Sequence, residues 1–153
     1  MTAGKEMNLD WNPNPHHFTA KELQRLHQGL PPWESVSFGC GGLLLIYLFG
    51  VAKAFQVCKL DHGVRYYGGS AGSLAAACLV AGANLDETME YCKEHFLPIA
   101  YKRVDGLFTL SENIVICLKN IVFPHIPKEG IPDNVLHVAT TKLPTFEGVI
   151  ISK

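Results

Sequence analysis

A serine bracketed by glycines, Gly68-Gly69-Ser70-Ala71-Gly72, has the clearest capacity for covalent chemistry in this chain. A serine on a tight strand-to-helix turn projects its hydroxyl out of the sheet. The strained backbone there tolerates only small neighbours, which Gly68, Ala71 and Gly72 are. A helix starting at Ala71 aims its amides and the positive end of its dipole at the reaction centre. The Ala71 amide is then one donor for a developing oxyanion. The five-residue pattern alone is weak, arising by chance in about one chain in twenty of this length. Its context gives it weight: Val64-Arg65-Tyr66-Tyr67 reads as a strand before it, and an alanine-rich helix follows to Ala81, stopped by Gly82.

A second glycine-rich turn, Gly39-Cys40-Gly41-Gly42, also lies between an expected strand, Val36-Ser37-Phe38, and an expected helix, Leu43 to about Val57. Turns after adjacent parallel strands meet at one sheet edge, where α/β sites form. Gly41 and Gly42 present amides unobstructed by side chains, suited to supplying further oxyanion donors. A dinucleotide-binding reading is weaker, because the glycine spacing is incomplete and no acidic residue follows suitably.

These two turns sit in a chain of 153 residues with 13 Lys plus Arg against 14 Asp plus Glu, 48% apolar and 18% charged. That composition excludes disorder and argues against nucleic-acid binding by bulk charge. The five cysteines are widely spaced with no CxxC, so neither a metal cluster nor a disulfide framework is expected. Four of them fall among apolar neighbours on expected helices and read as buried free thiols. The polar start, residues 1–18, has no secretory signal, and the chain reads as intracellular. His16-His17 reads as a solvated pair. The uncharged run Phe38 to Ala52, 15 residues, is short of the ~20 needed to span a membrane and reads as a buried core helix.

The remaining elements follow from caps and breakers. Thr19-Ala20-Lys21-Glu22 is a capping box for a short helix closed by Gly29 and Pro31-Pro32. Asn84 caps a helix to Phe96, with Pro98 ending it. Ser111 starts another, to about Val122. Val135 to Thr140 and Gly148 to Ser152 read as strands. Strands alternating with helices predict an α/β sandwich around a mainly parallel sheet.

On these residues the chain resembles the patatin-like phospholipase domain family, closest to its adiponutrin and adipose triglyceride lipase branch. The likeness rests on Ser37-Phe38-Gly39-Cys40-Gly41-Gly42-Leu43-Leu44, Ile46-Tyr47, Gly50-Val51-Ala52, Tyr67-Gly68-Gly69-Ser70-Ala71-Gly72-Ser73-Leu74 and the closing Glu147 to Ser152. The likeness runs from about Val36, implying a patatin-like domain over 36–153 behind an arm with one short helix over 1–35. It also implies a serine lipid acyl hydrolase with a Ser–Asp dyad, no cofactor and no metal. Its partner is an acyl lipid at a membrane or lipid-droplet surface, reached from the cytoplasm. Ser70 matches the nucleophile, Gly39, Cys40, Gly41 and Gly42 the oxyanion loop. Two departures stand out. Cys40 replaces a glycine usual in that branch, and the family's catalytic aspartate lies beyond the region matched by Val149 to Ser152. The expectation is therefore a domain truncated before its dyad acid, active only when completed or acting as a lipid-binding fragment. Asp105-Gly106 resembles half of the missing motif but lies early, Asp61 belongs to the opposite sheet edge, and Asp133 reads as a turn residue. An α/β-hydrolase triad of Ser70, Asp105 or Asp133, and His137 fits the chain order; His137, however, falls inside an expected strand. His125, between prolines, has no acid to orient it.

Overall fold

The structure, a computed structural model, describes residues 18–102 and 110–153. Its centre is a four-stranded sheet in the order β1 (Ser35–Phe38), β2 (Arg65–Gly69), β3 (Leu136–Lys142), β4 (Glu147–Ser152). The pairs β1–β2 and β2–β3 are parallel, and β4 returns antiparallel on β3. This is the expected α/β architecture with a mainly parallel sheet.

Register decides which side chains form the core. Val36 pairs with Tyr66, which pairs with Leu136; Phe38 pairs with Gly68, which pairs with Val138. Alternation along each strand sends this set to one face. There Phe38, Tyr66 and Leu136 are buried, and the rings of Phe38 and Tyr66 stack at 6.5 Å. The Tyr66 hydroxyl donates to the Asp61 carbonyl at 3.2 Å, and burial pushes its pKa well above the usual phenol range.

Helix α3 (Ala71–Ala81) lies on that face, with Ala71, Gly72, Ala75, Ala76, Cys78, Leu79 and Ala81 buried. Small residues let the helix approach the sheet closely, and Gly82 ends it in the left-handed region. Helix α2 (Leu45–Val57) stacks on α3 through Leu45, Phe49 and Ala52. The expectation of a buried core helix here is corrected. Leu44 in the short 3₁₀ turn before α2, and Tyr47 and Val57 on α2, are exposed. A sequence apolar on every side carries no phase from which to read the buried face.

Helix α1 (Ala20–His27) carries the expected capping box: the Glu22 amide donates to Thr19 Oγ1 at 3.3 Å, and the Thr19 amide donates to Glu22 Oε2 at 2.7 Å. Arg25 ties α1 to the body, donating to the carbonyls of Pro31, Trp33 and Gly63. Beyond α3, α4 (Leu85–Tyr91) is capped by Asn84 as read. Pro98 does not end that helical run. A π turn over Cys92–Phe96 leads directly into α5 (Leu97–Lys102). Pro98 follows that π turn, whose wider bonding ends with the Leu97 amide donating to the Cys92 carbonyl, and α5 continues past it. Similarly, α6 (Leu110–Cys117) passes through a π turn, Leu118–Val122, into a 3₁₀ turn holding Pro124. No described helix is long and apolar enough to cross a membrane.

Three of the cysteines expected to be buried are so: Cys78, Cys92 and Cys117. Cys58, at the C-cap of α2, is only half-buried, because the helix ends there at the surface. Cys92 and Cys117 approach to 3.9 Å between sulfurs; that contact and burial hold the Cys92 thiol protonated. Burial pushes Cys78 up to about 12.

Candidate active site

Both glycine-rich turns leave the carboxyl end of the parallel strands, one after β1 and one after β2. Ser70 is the N-cap of α3, with φ 51° and ψ −124°. That combination lies outside the regions open to L-residues and is a strained, overdetermined conformation. What holds it is packing between backbones. A Cβ on Gly68 would lie 2.6 Å from the Ser73 nitrogen and 2.8 Å from the Gly72 carbonyl carbon. A Cβ on Gly72 would lie 2.5 Å from the Gly39 oxygen and closer still to that of Phe38. Gly68 therefore lets the strand end press onto the first turn of α3, and Gly72 lets α3 press onto the end of β1.

Ser73 closes the turn: its amide and its hydroxyl donate to the Ser70 carbonyl at 2.9 and 2.5 Å. In the sequence Ser73 has no role beyond its place in the resemblance. A serine three positions after an N-cap, able to bond locally to backbone, was the available signal. A Cβ on Gly69, the residue before the serine, would meet Cys40 Sγ at 3.1 Å. The first turn thus lies against the second, with Cys40 exposed at their junction.

Ser70 itself is exposed. Among the described residues no backbone hydrogen bond uses the amides of Ala71 or Gly72, nor those of Gly39, Cys40, Gly41 or Gly42. Beside the Ser73 hydroxyl bonded within the turn, this end of the sheet therefore holds the exposed Ser70 hydroxyl and a set of uncommitted N–H donors, two of them at the start of a helix. Around it Leu43, Leu44 and Tyr47 are exposed, an apolar rim on the same turn and the first turn of α2.

The acids and histidines lie elsewhere. Asp61 precedes β2 and Asp133 precedes β3, so both belong to the amino end of these parallel strands. The five residues of β2 separate the two ends by about 16 Å at ~3.3 Å per residue. Asp133 pairs with Lys153 at 3.6 Å. His137 contacts Ser152 Oγ through Nδ1 at 2.8 Å and the Asn134 carbonyl through Nε2 at 3.2 Å, and its ring stacks on Tyr67 at 4.3 Å. Both ring nitrogens are engaged away from Ser70, so the described residues do not assemble the triad through His137. His125 lines a cleft of about 490 Å³ with Lys53, Asp61, Gly82 and Asp86 at the carboxyl end of α3, the end opposite Ser70. Asp105 and Gly106 lie outside the described residues, as does the pair His16-His17. Among the described residues Ser70 Oγ has no hydrogen-bond partner, and no group of three or more His, Cys, Asp or Glu is arranged to hold a metal ion.

No family model matches the sequence, and no solved structure does. Among curated proteins, the chain is similar to a human omega-hydroxyceramide transacylase, 26% identical over 124 residues. The match covers 78% of this chain but only 23% of the transacylase. The chain is thus an α/β protein distantly related to a lipid-modifying enzyme, spanning about a quarter of that relative's length.

Proposed function

We propose that this chain carries the nucleophile and oxyanion half of a serine lipid acyl hydrolase. The observation that carries the reading is the backbone at Ser70. A non-glycine residue at φ 51° is held between two glycines that admit no Cβ, at the head of a buried helix. Strain of about 1–3 kcal/mol is retained only where surrounding structure enforces it, and such positions cluster at catalytic sites.

In this reading Ser70 Oγ attacks the carbonyl carbon of an acyl ester while its proton passes to a carboxylate. The carbonyl oxygen becomes an oxyanion received by the amides of Ala71 and of the Gly39–Gly42 turn, each such donor lowering the barrier by about 3 kcal/mol. Collapse of the tetrahedral intermediate breaks the ester bond, and the leaving alkoxide takes up the proton. Water then cleaves the acyl-enzyme and releases a fatty acid. The exposed Leu43, Leu44 and Tyr47 form an apolar approach for an acyl chain presented at a lipid surface. The distant relationship to a transacylase supports acyl transfer from lipid as the reaction type.

One observation favours a second reading, a catalytically incomplete lipid-binding fragment. Ser70 Oγ has no base among the described residues, and Asp61 and Asp133 belong to the far end of the sheet. The patatin-like resemblance assigns the base to an aspartate that no residue here matches. A fluorophosphonate probe on the 153-residue chain separates the two, with Ser70→Ala as control. Labelling lost in Ser70→Ala supports an activated nucleophile. Absence of labelling, with binding to phosphatidylcholine vesicles retained, overturns hydrolysis by this chain and favours the binding fragment.

A further inference from the structure

Among the described residues, the outer edge of the sheet is a strand with no neighbour beyond it. All six residues of β4 are exposed, Val149, Ile150 and Ile151 among them. Within Glu147–Ser152 there is no proline, bulge or inward charge of the kind that usually blunts an edge.

Hydrogen-bond parity says which groups are free. Lys153 and Leu136 exchange both bonds, Lys153 N–H to the Leu136 carbonyl at 2.9 Å and the reverse at 3.0 Å. In an antiparallel ladder such pairs alternate. Lys153, Ile151, Val149 and Glu147 therefore turn their backbone groups toward β3, while Gly148, Ile150 and Ser152 turn theirs outward.

We propose that this edge pairs with the same edge of a second copy, antiparallel about a two-fold axis through Ile150. Outward groups must face outward groups, so a register that sets an outward residue opposite an inward one is excluded. The register centred on Ile150 joins Ile150 to its own copy and Gly148 to Ser152 of the second copy. It places Val149 opposite Ile151, and Glu147 opposite Lys153, twice by symmetry. Opposite charges directly across a strand pair stabilise it. Registers centred on Val149 or Ile151 leave Glu147 without Lys153 opposite, and one centred on Gly148 also discards pairing at Ser152. The charge pattern therefore selects one partner and one register, and joins two four-stranded sheets into a continuous one. Competing contacts are weak: Lys153 meets Asp133 at 3.6 Å and Glu147 accepts from Thr145 at 3.3 Å, all on exposed side chains.

Sedimentation velocity of the 153-residue chain across about 1–100 µM reads the equilibrium directly. The expected result is a dimer, weakened about tenfold by Glu147→Lys or Lys153→Glu alone. The double variant, which exchanges the charges, restores wild-type association. Circular dichroism checks that each variant is folded; if one single variant fails to fold, the other single and the double decide the matter. A monomer throughout the range overturns the proposal. So does a dimer indifferent to both single reversals, or association that the double exchange does not restore.

Discussion

The two turns at the carboxyl end of the sheet are both rich in glycine, and they use it for opposite purposes. After β2, glycine is demanded by space: Gly68 and Gly72 sit where any Cβ would strike backbone. After β1, Gly39 and Gly42 have nothing within 4 Å of a Cβ position. Gly42 is instead held by its dihedral angle, with φ 50°. One turn is rigid because chain segments are pressed together. The other is open and keeps its amides free of hydrogen bonds. Under the proposed acyl transfer the division has a use: the serine assigned the attack is fixed by close packing, while the amides assigned to the oxyanion stand in an open loop.

The largest expected effect tests that division. Gly72→Ala forces α3 away from β1 at the Phe38 and Gly39 carbonyls and is expected to cost about 4 kcal/mol or more in urea unfolding, the range of severe backbone clashes. Gly39→Ala is expected to stay within about 0.5 kcal/mol. Equal costs at the two positions would break the comparison.

Next in size is an alkaline effect on the helix that carries the elbow. Cys78 is buried on α3, and its thiol is pushed up from 9.0 to about 12. The folded state keeps the proton where the unfolded chain loses it. Stability from this group is complete below pH 9.0 and falls as pH rises toward 12, by about 1.4 kcal/mol per pH unit. Urea midpoints measured between pH 8 and 10.5, compared with those of Cys78→Ala, isolate this term. The slope should be shallower in the variant, the remainder belonging to Cys92, whose proton the Cys117 contact and burial retain, and to Tyr66, whose proton burial retains.

The dihedral at Ser70 predicts a smaller gain. Ser70→Gly relieves a φ of 51° and, after the entropy cost of glycine, is expected to stabilise the chain by about 1 kcal/mol. Ser70→Ala keeps the strain and is expected to leave stability unchanged. A destabilised Ser70→Gly would mean that the serine side chain supports the turn and is not merely held by it.

How much of this was legible in the sequence depends on whether the physics is local. The elbow was, because glycine, serine and glycine at fixed spacing between a strand and a helix encode a tight turn by themselves. The capping box at Thr19 and the cap at Asn84 were legible for the same reason. The buried face of α2 was not, because Leu45 to Val57 is apolar nearly all round, Lys53 and Gln56 aside, and packing selects Leu45, Phe49 and Ala52. Pro98 misled because the π turn over Cys92–Phe96 shifts the helical register just before it, and nothing in the local sequence announces such a turn. At the site, Ser70 and the glycines were readable, yet the clash that makes Gly72 necessary comes from Phe38 and Gly39, more than thirty residues earlier. No base for Ser70 was readable, and the acids set aside in the sequence, Asp61 at the opposite sheet edge and Asp133 in a turn, do precede β2 and β3 at the amino end of the strands.

The smallest effect probes the junction of the two turns. A Cβ on Gly69 would approach Cys40 Sγ to 3.1 Å. The obstacle is the tip of an exposed side chain, so it can give way. Gly69→Ala is therefore expected to cost only about 0.5 kcal/mol, less than a core overpacking because Cys40 can turn aside. In a Cys40→Ala background the sulfur is gone and that cost should disappear, giving a coupling of similar size in a double-mutant cycle. Additive costs would mean that the two turns stand apart in solution. Coupling well above that size would mean that the open turn is locked to the rigid one, and the contrast between them would be lost.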